Sequence, residues 1–371
     1  MILQEEMKNK KIKIAIILGT RPEIIKMSPI VRACEKKGLD FFILHTGQHY
    51  DKKLDKQMFD DLELPKPKYN LGVGGKPYRM QVGLMVRDIM EILKKERPDV
   101  SIVQGDTISV LAGALASNRL GIKIAHHEAG LRSHDITMLE EINRVIVDQI
   151  SDFLFAPSKE AVKNLKEESR NSHKVFLSGN TIVDAVLENI KIADRKVNIL
   201  KRLKLHPQKY IVVTAHRAEN VDDPKRLQNI ITGLGLVGKF AKIPLIYPMH
   251  PRAEINLKKF GIEIPKSIRV IEPLSFLEFL QLEKSAALVM TDSGGLQEEC
   301  FIMKVPCVTL RDNTERPETV KYGGNIIAGN KPEKILSSAK KMLNKKITTR
   351  VQPFGDGQAG KKIIKTILRS F

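Results

Sequence analysis

Tryptophan is missing from this chain, and cysteine occurs at only three of its 371 positions, Cys34, Cys300 and Cys307. An odd, sparse set with no Cys-x-x-Cys spacing argues for a reducing compartment. Long apolar runs are also lacking: no stretch approaches the roughly 20 residues that span a bilayer. The basic cluster from Lys8 to Lys13 precedes Ile14 to Leu18, which is too short for a signal-peptide core. These absences predict a cytoplasmic protein with no membrane partner. Two nucleotide signatures are missing as well. Only Gly19 follows the first apolar run, so there is no Gly-x-Gly-x-x-Gly fingerprint, and no Walker A sequence occurs. That argues against dehydrogenases and P-loop enzymes.

Positive charge is abundant. Lys and Arg number 62 against 43 Asp and Glu, a formal net charge of +19, which attracts anions. The lysines are scattered in pairs such as Lys36-Lys37 and Lys258-Lys259, mostly near predicted helix ends, where cations suit the helix dipole. With no basic stripe interleaved with aromatics, nucleic acid is not the expected partner. A hydrophobic content of 42% supplies ample core, and the length suggests two domains at roughly 150 residues each.

Ile14 to Leu18 reads as a strand buried on both faces. Gly19-Thr20-Arg21-Pro22-Glu23 then supplies a tight turn, a proline for the first helical position and an acid for the first turn. Strands at Phe41 to His45, Val100 to Val103, Ile122 to Ala125, Phe153 to Ala156 and Val175 to Leu177 alternate with helices. The rhythm restarts at Tyr210 to Thr214 and continues through Pro244 to Tyr247, Ile268 to Ile271, Ala287 to Met290 and Pro306 to Leu310. The pattern predicts an α/β protein with two Rossmann-like, doubly wound parallel-sheet domains facing a cleft. The junction falls near Gly179 to Ile190, giving residues 1–180 and 181–357, with a last helical segment at 358–371. Ligands of such sheets bind beyond the C-terminal strand ends.

Chemistry-bearing residues gather at those ends. Asp106 and Glu128 each stand just past a strand of the first domain. If the two strands are neighbours, the carboxylates converge, and Glu140 from the next helix makes a third. Clustered carboxylates separate their pKa values into an acid and a base. In the second domain, Thr291-Asp292-Ser293-Gly294-Gly295-Leu296-Gln297-Glu298-Glu299 carries a strand into a helix through two glycines. Backbone N–H groups and the helix dipole there can face a phosphate. Glu298 or Glu299 can hydrogen-bond a ribose diol, and Arg316 follows the next strand. Arg21, Lys26, His216 and Arg217 add polar and cationic groups at other strand ends. Each feature also has a structural explanation: helix-start acids, an ordinary β–α turn, a histidine satisfied at a strand end. A metal site is not expected, because His126 and His127, as neighbours on a strand, point to opposite faces.

Taken together, these residues resemble the non-hydrolysing UDP-N-acetylglucosamine 2-epimerases. The resemblance rests on Gly19-Thr20-Arg21-Pro22-Glu23, Gly105-Asp106-Thr107, His127-Glu128-Ala129-Gly130-Leu131-Arg132, Glu140-Glu141-Ile142-Asn143-Arg144, Ser178-Gly179-Asn180-Thr181 and His216-Arg217. It continues through the Thr291 to Glu299 motif, Thr314-Glu315-Arg316-Pro317-Glu318 and Gly355-Asp356-Gly357-Gln358-Ala359, in order over nearly the whole chain. It implies the glycosyltransferase-B fold, with the last helix returned to the N-terminal domain, a homodimer, and no nicotinamide or other cofactor. It implies interconversion of UDP-GlcNAc and UDP-ManNAc by elimination and re-addition of UDP through a glycal. By similarity, Asp106, Glu128 and Glu140 are the acid/base candidates and His216 is catalytic or contacts the diphosphate. Arg21, Lys26, Arg144, Ser293, Gly294, Gly295, Glu299 and Arg316 would bind the UDP-sugar, and Phe279 would line the uracil pocket. The chain departs from the family where Leu139 replaces a proline, where Ala218 replaces an arginine, and where Val73-Gly74-Gly75-Lys76 lacks the glutamine used by bacterial relatives to bind a second, activating UDP-GlcNAc. A hydrolysing relative that releases ManNAc and UDP, or a glycosyltransferase of the same fold, are the competing activities.

Overall fold

The computed structural model describes residues 12–48, 52–75, 78–168 and 174–371. Lys8, Lys10, Lys11 and Lys76 fall outside those ranges. The chain divides into two compact units, one of Met1–Glu188 with Phe354–Phe371, the other of Asn189–Pro353.

The first unit is built on β1 (Lys13–Leu18), β2 (Asp40–His45), β3 (Tyr69–Asn70), β4 (Val100–Gln104), β5 (Lys123–His127), β6 (Phe153–Ala156) and β7 (Val175–Leu177). Their order in the sheet is β3-β2-β1-β4-β5-β6-β7, and every pairing is parallel. Ile14 to Leu18 is at most 1% exposed, as a strand covered by helices on both faces must be. The second unit carries β8 (Ile211–Thr214), β9 (Leu245–Pro248), β10 (Ile268–Ile271), β11 (Leu288–Thr291), β12 (Cys307–Thr309) and β13 (Asn325–Ile327). They are all parallel in the order β10-β9-β8-β11-β12-β13. Alternate residues feed two cores. Ile211 and Val213 face one, while Tyr210 and Val212 face the other. Both sheets are doubly wound α/β folds of the Rossmann type.

Each sheet reverses its strand order once, between β1 and β4 and again between β8 and β11. A crevice opens where crossovers diverge to opposite faces, so these two points are where such sheets take ligands. Gly19 and Gly105 leave β1 and β4; Ala215 and Asp292 leave β8 and β11.

The strand β5 runs two residues past the predicted end at Ala125, so His126 and His127 lie within it. Two strands, β3 of two residues and β13 of three, were not read from the sequence. The last helix, Ala359–Leu368, belongs to the first unit. Asp184 accepts the N–H groups of Ala359 (3.2 Å) and Gly360 (3.0 Å). Among the described residues no helix is long and apolar enough to cross a membrane.

Candidate active site

At the reversal point of the first sheet, close packing fixes two turns. A Cβ on Gly19 would lie 2.1 Å from both Ser109 Oγ and Thr46 Oγ1, so no side chain fits there. Glu23, fully buried, accepts from the N–H groups of Gly19 and Thr20 and from Thr107 Oγ1, each at 2.7 Å. Burial raises its pKa despite those donors. It thereby joins the turn after β1 to the turn after β4.

The strands β4 and β5 are neighbours, with Gln104 opposite His127. Asp106 and Glu128 therefore emerge from adjacent strand ends. Glu128 sits in the left-handed region at φ 66°, an arrangement that costs a non-glycine residue about 1–3 kcal/mol. Its side chain is 7% exposed, and the carboxylate is held on all sides. Lys26 Nζ approaches at 2.6 Å, Asn180 Nδ2 donates at 3.0 Å, and Gln104 Nε2 donates to the other oxygen. Gly105, at φ 83°, passes so close that an added Cβ would lie 3.4 Å from Glu128 Oε2. Asp106 pairs with Arg144, and Asn143 Nδ2 donates to its backbone carbonyl at 2.9 Å.

Arg144 also binds Glu141. Glu141 is buried, which pushes its pKa up. The N–H groups of Ser133 and His134, together with Arg144, outweigh that and hold it below the ordinary carboxylate value. Glu140 is exposed; among the described residues it makes no ion pair or hydrogen bond. So Glu141, not its neighbour, turns toward Arg144 and Asp106.

Behind both carboxylates lies a buried relay. His126 donates from Nε2 to the Gly105 carbonyl at 2.8 Å, and its Nδ1 is 2.7 Å from Asp148 Oδ1. Asp148 also accepts the Gly130 N–H at 3.0 Å and pairs with Arg132 at 2.7 Å. Burial pushes the Asp148 pKa up, but His126 and Arg132 bring it below the usual value. One carboxylate thus braces the turn bearing Asp106 and the turn bearing Glu128. His127 points the other way, to Thr181 Oγ1 at 2.8 Å, and burial lowers its pKa to about 4.

At the reversal point of the second sheet, Asp292 is fully buried and accepts from the His216 N–H (3.0 Å), the Arg217 N–H (2.9 Å) and Asn220 Nδ2 (3.1 Å). His216 Nδ1 lies 3.3 Å from Asp292 Oδ1. Burial raises the Asp292 pKa, and the His216 side chain, the Arg217 N–H and the Asn220 amide more than reverse it. Ser293 is the N-cap of the helix Gly294–Met303, yet its side chain caps no N–H. The N-terminus of a helix without such a cap suits an anion. Arg316 is tied to Glu298 at 2.6 Å. Arg21, in the first unit, makes no ion pair among the described residues. A cavity of about 230 Å³ opens beside His216, lined by Met249, His250, Pro273, Leu274 and Phe279. It offers an apolar slot with two imidazoles at its mouth, the rings 6.0 Å apart.

Every predicted site residue lies in the described part of the chain. Strand-end position marked Asp106, Glu128, His216 and the Ser293-Gly294-Gly295 turn. The bracing residues Glu23, Gln104, Asp148, Asn180 and Asp292 carried no chemistry signal of their own, although Glu23, Asn180 and Asp292 stand inside motifs already singled out.

The family model for UDP-N-acetylglucosamine 2-epimerase matches residues 32–368. The chain belongs to that family. Its sequence is 50% identical to the UDP-N-acetylglucosamine 2-epimerase of Methanocaldococcus jannaschii over 96% of this chain and 98% of that one. It is 39% identical, over 96% of its length and 99% of the relative's, to a second epimerase, the UDP-2,3-diacetamido-2,3-dideoxy-D-glucuronate 2-epimerase of Pseudomonas aeruginosa. The crystal structure of the Methanocaldococcus jannaschii UDP-GlcNAc 2-epimerase in complex with UDP-GlcNAc and UDP matches this fold with a TM-score of 0.84 at 50% identity, over 96% of this chain and all of that one. Epimerases are isomerases, and the present chain is an enzyme of that class.

Proposed function

We propose that the protein interconverts UDP-N-acetylglucosamine and UDP-N-acetylmannosamine by eliminating UDP across C1–C2 and adding it back, without hydrolysis. The observation that carries the proposal is the pair Asp106 and Glu128 on adjacent strand ends at the first sheet's reversal point. A weakly acidic C2–H needs a positioned base, and inversion needs an acid on the other face. One carboxylate takes the C2 proton, the C1–O bond breaks toward the diphosphate, and a C1=C2 glycal remains. Return of UDP to C1 with a proton on the opposite face of C2 gives the epimer. Lys26 and Arg144, paired with the two carboxylates, orient them. Glu140 is the third acid/base candidate by family resemblance.

The departing diphosphate needs preorganised donors and cations. Ser293 and the N–H groups of Gly294 and Gly295 supply the donors; Arg21, Arg316 and His216 supply polar and cationic side chains. Glu299 takes the ribose diol, and Phe279 lines the uracil slot. No cofactor takes part. The three cysteines are free and buried, which accords with a reducing cytoplasm. Incubation with UDP-GlcNAc alone tests the activity: UDP-ManNAc forms toward equilibrium with little free UDP. Stoichiometric UDP and ManNAc would assign hydrolysis, and turnover only with an added acceptor would assign a glycosyltransferase. UDP-2,3-diacetamido-2,3-dideoxy-D-glucuronate, run in parallel, turns over more slowly if GlcNAc is the sugar.

The protein works as a homodimer. Leu139, Ile142 and Ile146 form one stripe of the helix Leu139–Ile150 and are 50%, 42% and 38% exposed, with Ile136 before it at 80%. A contiguous apolar stripe left in water marks an association surface, and a second copy of the same chain is the self-complementary occupant.

A further inference from the structure

Apart from the brace at Asn180, the chemistry above gives no task to two motifs, Ser178-Gly179-Asn180-Thr181 and Gly355-Asp356-Gly357-Gln358-Ala359. They meet where the chain, having left the first unit after Glu188, re-enters it at Phe354. The Asn180 N–H donates to the Phe354 carbonyl at 2.8 Å. A Cβ added to Gly355 would lie 3.1 Å from Gly179 Cα and 3.4 Å from the Asn180 nitrogen. Both glycines have positive φ, 84° at Gly179 and 115° at Gly355, a backbone that residues with side chains rarely adopt. Two bare backbones therefore touch at this point, and one of them carries Asn180.

Asn180 is 5% exposed, and its amide has one usable orientation. Its Oδ1 accepts the Ile182 N–H at 3.0 Å, so Nδ2 is the end that faces Glu128 Oε1, also at 3.0 Å. An amide rotated the other way would set oxygen against carboxylate and leave a buried N–H without an acceptor. The returning segment is itself anchored. Asp184 accepts the N–H groups of Ala359 and Gly360. Gly360 packs so closely on the helix Arg21–Lys36 that an added Cβ would lie 2.9 Å from the Pro29 carbonyl. That helix carries Lys26, the ion-pair partner of Glu128. The segment thus touches both the residue and the helix that present donors to Glu128 Oε1.

We propose that the returning segment Phe354 to Gly360 is a positioning element of the active site, and that it acts through Asn180. By fixing the backbone of Asn180 it holds that amide against Glu128 and sets the direction of the carboxylate. Asn180 is a positioning residue. The inference rests on the assignment of Glu128 to the acid/base pair.

Asn180→Ala removes the donor. Asn180→Asp keeps the acceptor for Ile182 and sets an oxygen against Glu128. In both, kcat for UDP-GlcNAc is expected to fall about tenfold to a hundredfold, the order that one lost hydrogen bond to a charged group or a misplacement of about 1 Å costs. KM and the UDP affinity from calorimetric titration stay within about threefold of the wild type. Gly355→Ala, whose added methyl meets Gly179 and Asn180, is expected to lower kcat roughly tenfold at the same KM. Added to Asn180→Ala it lowers kcat no further, because both act at one contact. Asp184→Asn loosens the same segment and takes the place of Gly355→Ala if that variant does not fold, with the same two expectations. A merely stabilising contact would lower the melting temperature and leave kcat of the folded enzyme unchanged. Wild-type kcat in the Asn180 variants or in the folded segment variant, a KM that rises as kcat falls, or losses that multiply in the double variant overturn the proposal. Glu128→Gln, run beside them, separates the premise. Undiminished turnover there removes Glu128 from the chemistry, whereas turnover lost there and kept in the Asn180 variants overturns the positioning alone.

Discussion

A glutamate with positive φ is uncommon, and Glu128 keeps that backbone because Lys26, Asn180 and Gln104 hold its carboxylate in one orientation. Strain of this kind persists where the surroundings over-determine it, and it concentrates at functional sites. Glu128→Gln and Asp106→Asn keep shape and remove the anion. Each is expected to lower kcat by about 10²–10⁴-fold with UDP affinity little changed, measured by coupled assay and by titration. Glu140→Gln, assayed beside them, measures that residue's own share. His127 gives a second test. Burial lowers its pKa from 6.5 to about 4, so between those values the unfolded chain binds a proton that the folded chain excludes. Stability from this group is complete above pH 6.5 and is lost as pH falls toward 4, by about 3 kcal/mol in all. Denaturant midpoints of wild type and His127→Asn across that window should differ in slope, the wild type falling more steeply. Strand-end position made Asp106 and Glu128 legible in the sequence. The backbone of Glu128 was not legible, because nothing in the run from Glu128 to Gly130 distinguishes a left-handed glutamate from an extended one.

Among the elements, the helix Leu139–Ile150 shows why sequence alone named Glu140 while the structure turns Glu141 inward. Successive residues on a helix lie about 100° apart, so the choice between Glu140 and Glu141 depends on which face turns inward. Apolar spacing at Leu139, Ile142 and Ile146 would turn that stripe to the core. The structure instead buries Glu141, Asn143, Val147 and Asp148, because Asp148 and Arg144 are drawn to the turns after β4 and β5. Asp148 receives Gly130, His126 and Arg132 at once. Removing one partner of a buried ion pair costs about 3–5 kcal/mol. Asp148→Asn should therefore lower the melting temperature by roughly 5–10 °C and reduce kcat more than it raises KM, since the turns bearing Asp106 and Glu128 each lose one brace. An unchanged kcat would make the relay purely structural. The main strands and their parallel order were readable, since continuous apolar runs between helices leave little else. Strands β3 and β13 were not, and β5 outran its apolar segment because His126 and His127 find buried partners on opposite faces.

At the level of the whole molecule, the exposed apolar stripe Leu139, Ile142 and Ile146 is the surface proposed for assembly. Light scattering should give twice the chain mass of 41.8 kDa, and Ile142→Lys with Ile146→Lys should give the monomer; a wild-type monomer would contradict the dimer. The +19 charge suits the anionic sugar nucleotide proposed as substrate, and the chain belongs to the UDP-N-acetylglucosamine 2-epimerase family. Family and fold were legible because many short motifs keep their order along the chain. On the proposed mechanism Asp106 and Glu128 move a proton at C2 while UDP leaves and returns, and turnover of UDP-GlcNAc in deuterated water, followed by NMR, is its sharpest test. Deuterium at C2 of UDP-ManNAc, growing with turnover and lost in Glu128→Gln, is the predicted result; UDP-ManNAc that retains the original C2 hydrogen would contradict it.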